Sequence, residues 1–142
     1  MPTSFRPTSS DPIRRRPLFP GLMTFPASCF LLTLIFDIAY ARSANMMWES
    51  TSVWLLTIGL IAGALFVIVG LIEAFGFGRW PTMALRIGYA IALILSIFNA
   101  FIHSRDGYTS VVPTGLTLSV IVALVLFATW ILNLFAPRRV AR

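Results

Sequence analysis

The sequence predicts an all-α fold, an integral membrane up-down four-helix transmembrane bundle. Three observations predict it. Of 142 residues, 58% are hydrophobic and only 11% are charged, whereas soluble domains carry about 45–50% apolar and about 25% charged residues. The apolar residues gather into four long runs, and about 20 helical residues are enough to cross a hydrocarbon layer roughly 30 Å thick. The runs are joined by short stretches containing Gly, Pro, Asn and Arg. These stretches break helices and make sequential helices antiparallel neighbours.

Residues 1–19 hold Pro2, Pro7, Pro12 and Pro17, several Ser and Thr, and Arg14-Arg15-Arg16. Such a composition cannot bury a core, so it reads as a disordered cytoplasmic tail whose basic end meets anionic headgroups. The transmembrane domain is expected over 20–136, with spans at about 21–40, 48–75, 81–103 and 113–135, and a basic cytoplasmic C-terminus over 137–142. In the first span Pro26 belongs in the opening turn, where its missing N–H costs little. A cleaved signal peptide ending at Ala39-Tyr40-Ala41 competes with this reading, but the apolar run is long enough to span and carries Asp37 close to that site. Lone Cys29 reads as a small hydrophobe.

In the second span Ser52, Gly59, Gly63 and Gly70 share one face, and Gly59-x-x-x-Gly63 is a close-approach motif. This face is expected to pack inside the bundle, with self-dimerisation through it as the alternative. Gly76 to Pro81 forms the next turn, with Trp80 in an interfacial belt. In the third span Tyr89, Ser96, Asn99, His103 and Asp106 fall within about 100° of arc, and unsatisfied polar groups facing lipid are expensive, so this stripe should face the bundle interior. In the fourth, Gly115, Ser119, Thr129 and Asn133 form the small or polar face, and Pro113 suits a first turn.

All eleven basic residues are arginines, and the formal charge is +6. They sit at the ends of spans rather than along a soluble face, which orients a membrane protein and argues against nucleic-acid binding. Nine lie in the tail, the loop between spans two and three with its flank, or the C-terminus. Only Arg42 and Arg105 lie on the other side. This bias puts both termini in the cytoplasm.

That topology brings Asp37, Glu49, Asn99, His103, Arg105 and Asp106 to similar depth as an outward polar cluster. Ionisable residues near spans are functional candidates by default. His103 is the only histidine, and histidine alone titrates near neutral pH without help. At the other end Glu73 and Arg86 are placed level by an antiparallel hairpin and are expected to form a structural ion pair. A zinc site wants three or four ligands, and one His with a few carboxylates does not supply a convincing set. Haem through His103 and Met46 or Met47 is conceivable. Ser104, His103 and Asp106 contain the residue types of a hydrolase triad but are sequence neighbours, and no G-x-S-x-G elbow is present.

Several stretches together carry a family likeness. They are Phe25-Pro26-Ala27 with Asp37-Ile38-Ala39-Tyr40; Trp48 with Trp54-Leu55-Leu56 and Gly59-Leu60; and, most specifically, Asn99 to Gly107 followed by Pro113-Thr114-Gly115-Leu116-Thr117-Leu118-Ser119. Over roughly 20–136 the chain resembles the bacterial transmembrane family known as domain of unknown function 2231. The resemblance implies a four-helix inner-membrane protein without an assigned activity. Many members carry His-Pro near the start of the first span where this chain has Phe25-Pro26, so a paired-histidine site is not expected here.

The functional expectation is a non-enzymatic accessory or anchoring subunit of the bacterial inner membrane. Its polar cluster would bind a membrane protein partner or small ligand, and no cofactor is predicted. The alternatives are a redox or proton-relay subunit using quinone or haem, and a small transporter formed as a homodimer through Gly59 and Gly63.

Overall fold

The computed structural model describes residues 18–105 and 111–136. Asp106 and the expectations for the N-terminal tail and basic C-terminus lie outside the described residues. The chain forms a short helix α1 (Phe19–Leu22) and four long helices, α2 (Thr24–Ser43), α3 (Met46–Phe77), α4 (Met83–His103) and α5 (Leu116–Phe135). A kinked turn, Val111–Gly115, leads into α5; Val112 is extended there (φ −115°, ψ 124°), as expected of a residue preceding proline.

The four long helices, α2 with α1 and α5 with its leading turn, are each long and apolar enough to span a membrane. With no strand among the described residues, the fold is an all-α membrane bundle. The α2–α3 link is short. Ala44 caps α2 in the left-handed region (φ 49°), and its N–H donates to the Tyr40 carbonyl at 2.8 Å. Asn45 caps α3 by accepting the Met47 N–H on its side-chain oxygen at 3.0 Å. Two capping residues back to back leave the chain no option but to reverse. Gly78 ends α3 with φ 64°, a conformation that glycine adopts without a side-chain penalty. Thr82 then caps α4 and also donates its hydroxyl to Asn133 Oδ1 at 2.8 Å, tying the start of α4 to the end of α5.

α2 lies between α3 and α5, and α4 closes the ring between α5 and α3. The apolar core holds Phe30, Leu56, Ala92, Val122 and Leu126, with every span contributing. Large Ile, Leu and Phe side chains point outward instead (Phe75 is 76% exposed, Leu124 62%). Small and polar side chains lie inside and bulky aliphatic ones outside because lipid does not drive apolar groups inward, and association rests on close packing and interhelical hydrogen bonds.

The glycine face of α3 is consumed inside the chain. A Cβ at Gly59 would meet the Phe30 ring at 2.8 Å, one at Gly63 the Leu93 side chain at 2.6 Å, and one at Gly70 would collide with Phe19. Gly59 and Gly63 are thus used for packing between helices of the same chain.

The expected Glu73–Arg86 ion pair does not form. Both Glu73 oxygens accept the Leu18 N–H (3.1 and 3.0 Å), and Oε2 also accepts the Phe19 N–H at 3.1 Å. Arg86 instead donates from Nη2 to Met83 Sδ at 2.9 Å and lies over the Trp80 ring, 5.1 Å from its centroid. The unpaired N–H groups at the start of α1 attract a carboxylate more directly than an exposed guanidinium does. Glu73 is buried and faces α1, while Arg86 points away from the bundle.

Candidate functional site

Each long helix contributes to one polar layer. α2 brings Asp37, α3 brings Ser52, α4 brings Asn99 and His103, and α5 brings Ser119, and all five are sealed from the surface. Asp37 is six residues before the end of α2 and His103 is the last residue of α4. At about 1.5 Å of rise per residue, the layer lies about 9 Å inside that end of the bundle.

Asp37 is the hub. Its Oδ1 accepts a hydrogen bond from the Ser52 hydroxyl. Its Oδ2 accepts from the Ser119 hydroxyl at 2.5 Å. His103 Nε2 stands 3.1 Å from Oδ1 and 3.5 Å from Ser52 Oγ. Asn99 Nδ2 donates to Ser119 Oγ at 2.8 Å. The loop of contacts links all four spans through side chains that have no water to fall back on.

The second ring nitrogen fixes the chemistry of the pair. His103 Nδ1 lies 3.0 Å from the Asn99 carbonyl oxygen. A carbonyl only accepts, so Nδ1 carries a hydrogen. Nε2 faces a carboxyl oxygen, and a hydrogen must stand between them as well. The pair therefore holds one shared proton in either of two forms, imidazolium with carboxylate or neutral imidazole with carboxylic acid. Gly115 makes room for this ring: a Cβ there would lie 2.9 Å from His103 Cε1.

Other predicted residues fall around this layer. Glu49 is buried near the same end, within electrostatic reach of His103 and Asp37. Phe36 of α2 and Trp48 of α3 stack with ring centroids 5.5 Å apart. Arg105 is exposed just beyond α4. Among the described residues the expected outward cluster thus divides, with Asp37, Asn99, His103 and Glu49 buried and Arg105 at the surface. Ser52 and Ser119, assigned by their spacing to helix packing, are full members of the network. Their depth was the available signal, because both sit one to two turns inside the same end as Asp37.

Of the hydrolytic triad considered from sequence, Asp106 lies outside the described residues and Ser104 donates its hydroxyl to the Phe101 carbonyl at 2.9 Å. In such a triad the acid and the nucleophile occupy opposite ring nitrogens; Asp37 and Ser52, the side chains that do reach His103, both face Nε2, and Nδ1 is spent on a backbone carbonyl. Haem ligation through His103 needs a free ring nitrogen, and both are engaged. Met46 and Met47 are exposed and do not approach the layer. No cluster of metal-binding side chains occurs among the described residues.

Two buried polar atoms in the same stripe of α4, Ser96 Oγ and Asn99 Oδ1, have no hydrogen-bond partner among the described residues. The network therefore ends at Asn99 and does not continue toward the bundle centre.

A family model described as "Predicted membrane protein (DUF2231)" matches residues 15–132. No curated protein and no solved structure matches the chain.

Proposed function

The chain belongs to the DUF2231 family of predicted membrane proteins, and on that footing we propose that it is a non-enzymatic inner-membrane subunit built around a protonation site, with both termini cytoplasmic. The carrying observation is the contact of Asp37 Oδ1 with His103 Nε2 at 3.1 Å, sealed at the junction of all four spans, where a shared proton is required to bridge the two atoms. Intramembrane carboxylate–histidine pairs are expensive to keep and typically mark proton relays or ion pathways. Moving this proton changes the charge pattern at the point where α2, α3, α4 and α5 are tied, so the protonation state of the site and the packing of the bundle are one equilibrium.

This reading favours the proton-relay alternative over direct docking of a partner on the polar cluster, because Asp37, Asn99 and His103 present no surface to dock on. An accessory role remains compatible with it. A partner's membrane helices would meet the apolar exterior and sense the site through helix packing. The excess of arginines at one end of the bundle supports the orientation.

The test is isotope-edited infrared difference spectroscopy of the full chain in lipid bilayers as pH is varied. Asp37 should give a carboxyl band that changes with pH, disappears in Asp37→Asn and moves in His103→Gln. A carboxyl signal that stays constant across about pH 4 to 9, where ordinary carboxylates and histidine both titrate, refutes the proposal.

A further inference from the structure

At the end of the bundle opposite the Asp37–His103 pair, a cleft of about 210 Å³ opens between α3 and α4, with α1 as its third wall. Its buried lining is made of small residues of α3, Gly70 and Ala74, the exposed Ala90 of α4 borders it, and Phe19 of α1 closes one side. The space equals that of about seven waters. The lining is almost wholly apolar, and apolar cavities stay dry and take apolar guests. In a bilayer the available guest is an acyl chain.

The rim is different in character. Trp80 and Arg86 both line the mouth. Trp80 is 48% exposed, and the Arg86 guanidinium lies over its ring at 5.1 Å. Among the described residues no carboxylate lies within ion-pair distance of Arg86, since Glu73 is committed to the N–H groups of Leu18 and Phe19. Its sole hydrogen-bond acceptor there is the Met83 thioether, a weak one. A guanidinium presents a planar fork of donors that matches a phosphate. Arg86 also sits in the first turn of α4, whose N-terminal dipole adds positive potential.

We infer that this cleft is a binding site for one anionic phospholipid, with an acyl chain over Gly70, Ala74 and Ala90 and the headgroup phosphate on Arg86. The stacking of Arg86 on Trp80 holds the guanidinium at the mouth rather than leaving it to wander in solvent. Trp80 in turn sits at headgroup level, as interfacial tryptophans do. Glu73 contributes indirectly by fastening α1, and with it the Phe19 wall, in place.

Native mass spectrometry of the full chain in mild detergent tests the inference, with phosphatidylglycerol and phosphatidylcholine of matched chains titrated separately. One phosphatidylglycerol should remain bound per chain at about tenfold lower concentration than phosphatidylcholine, a difference of about 1.4 kcal/mol. Arg86→Gln should bring the two lipids level, and Arg86→Lys should keep part of the preference. Ala90→Trp, which fills the cleft from an outward-facing position, should remove the tightly held lipid altogether. Circular dichroism should report unchanged helix content in all three. Equal retention of both lipids by the wild type, or an Arg86→Gln protein that keeps the preference, overturns the headgroup assignment. Retention by Ala90→Trp at wild-type strength overturns the cleft as the location.

Discussion

Asp37 of α2 and His103 of α4 meet at 3.1 Å with both side chains sealed, and the Asn99 carbonyl obliges the far side of the ring to be a donor. Two substitutions separate what this contact does for the fold from what it does for the proton. Asp37→Ala removes the acceptor for Ser52, Ser119 and His103 together. At about 0.6 kcal/mol for an average interhelical hydrogen bond in a membrane, and up to 3–5 kcal/mol for a broken buried pair, a loss of about 2–3 kcal/mol is expected in a reversible unfolding assay in bicelles or mixed micelles. Asp37→Asn keeps the shape: its amide nitrogen donates to Nε2 of the neutral Nδ1–H imidazole and to the Ser52 hydroxyl oxygen, which turns from donor to acceptor, while its carbonyl oxygen keeps the bond from Ser119. That variant should lose under about 1 kcal/mol, the scale of one neutral hydrogen bond, yet should abolish the pH-dependent carboxyl signal. Equal destabilisation by both variants would mean that the charge, not the geometry, holds the layer together.

Glu73 is predicted to act locally. Its carboxylate takes three N–H contacts from Leu18 and Phe19, and hydrogen bonds to a charged group are worth about 1.5–3 kcal/mol. Glu73→Gln leaves a single acceptor oxygen and removes the charge facing the start of α1. Amide hydrogen exchange at Leu18 and Phe19 should accelerate by about tenfold, the effect of about 1.4 kcal/mol, while amides around Asp37 and His103 keep their protection. Acceleration spread over the whole bundle would show that α1 is integral to the fold rather than strapped onto it.

The parts of this fold legible in the sequence were those set by periodicity. Four apolar runs became four long helices, and the stripe of Ser96, Asn99 and His103 turned inward because no lipid-facing alternative can satisfy it. Asp37 was readable from topology and depth as lying level with His103, but not as its partner or as the hub, since its two other ligands are serines that look like packing residues on a helix wheel. Glu73 misled because hairpin register places it level with Arg86, and nothing in its own helix reveals that Leu18 and Phe19 fold back onto it. Local pattern shows which face is buried; which neighbour it meets depends on chain segments that are distant in sequence.

Close approach between α4 and α5 yields a prediction with a built-in control. A Cβ at Gly88 would collide with the Thr129 side chain, which is buried and donates its hydroxyl to the Val125 carbonyl at 2.7 Å. Neither helix can swing away cheaply, because Thr82 and Asn133 tie the same two helices at one end and Asn99 and Ser119 toward the other. Gly88→Ala should therefore cost about 1–3 kcal/mol, the usual penalty of overpacking. Thr129→Ala removes the two nearest colliding atoms, Oγ1 and Cγ2, and leaves only Cβ at 2.7 Å, so the Gly88→Ala/Thr129→Ala double variant should recover part of that loss in the same unfolding assay. Additive losses would place the strain elsewhere.

Ser96 and Ser119 make an opposed pair of predictions, since both are fully buried serines in different situations. Ser119 donates to Asp37 Oδ2 and accepts from Asn99 Nδ2. Removing its hydroxyl leaves the amide without an acceptor and the carboxyl short of one donor, so Ser119→Ala should destabilise by about 1–2 kcal/mol. The Ser96 hydroxyl has no partner among the described residues, and a buried polar group without a hydrogen bond costs about 1–3 kcal/mol on protein scales. Ser96→Ala removes that burden with little change of volume, and should leave stability unchanged or raise it by up to about 1 kcal/mol. Measured side by side, the two alanine variants should move in opposite directions or differ by at least about 1 kcal/mol. A loss on Ser96→Ala as large as that on Ser119→Ala would mean that the Ser96 hydroxyl is satisfied by an internal water, and would extend the polar network one turn deeper into the membrane.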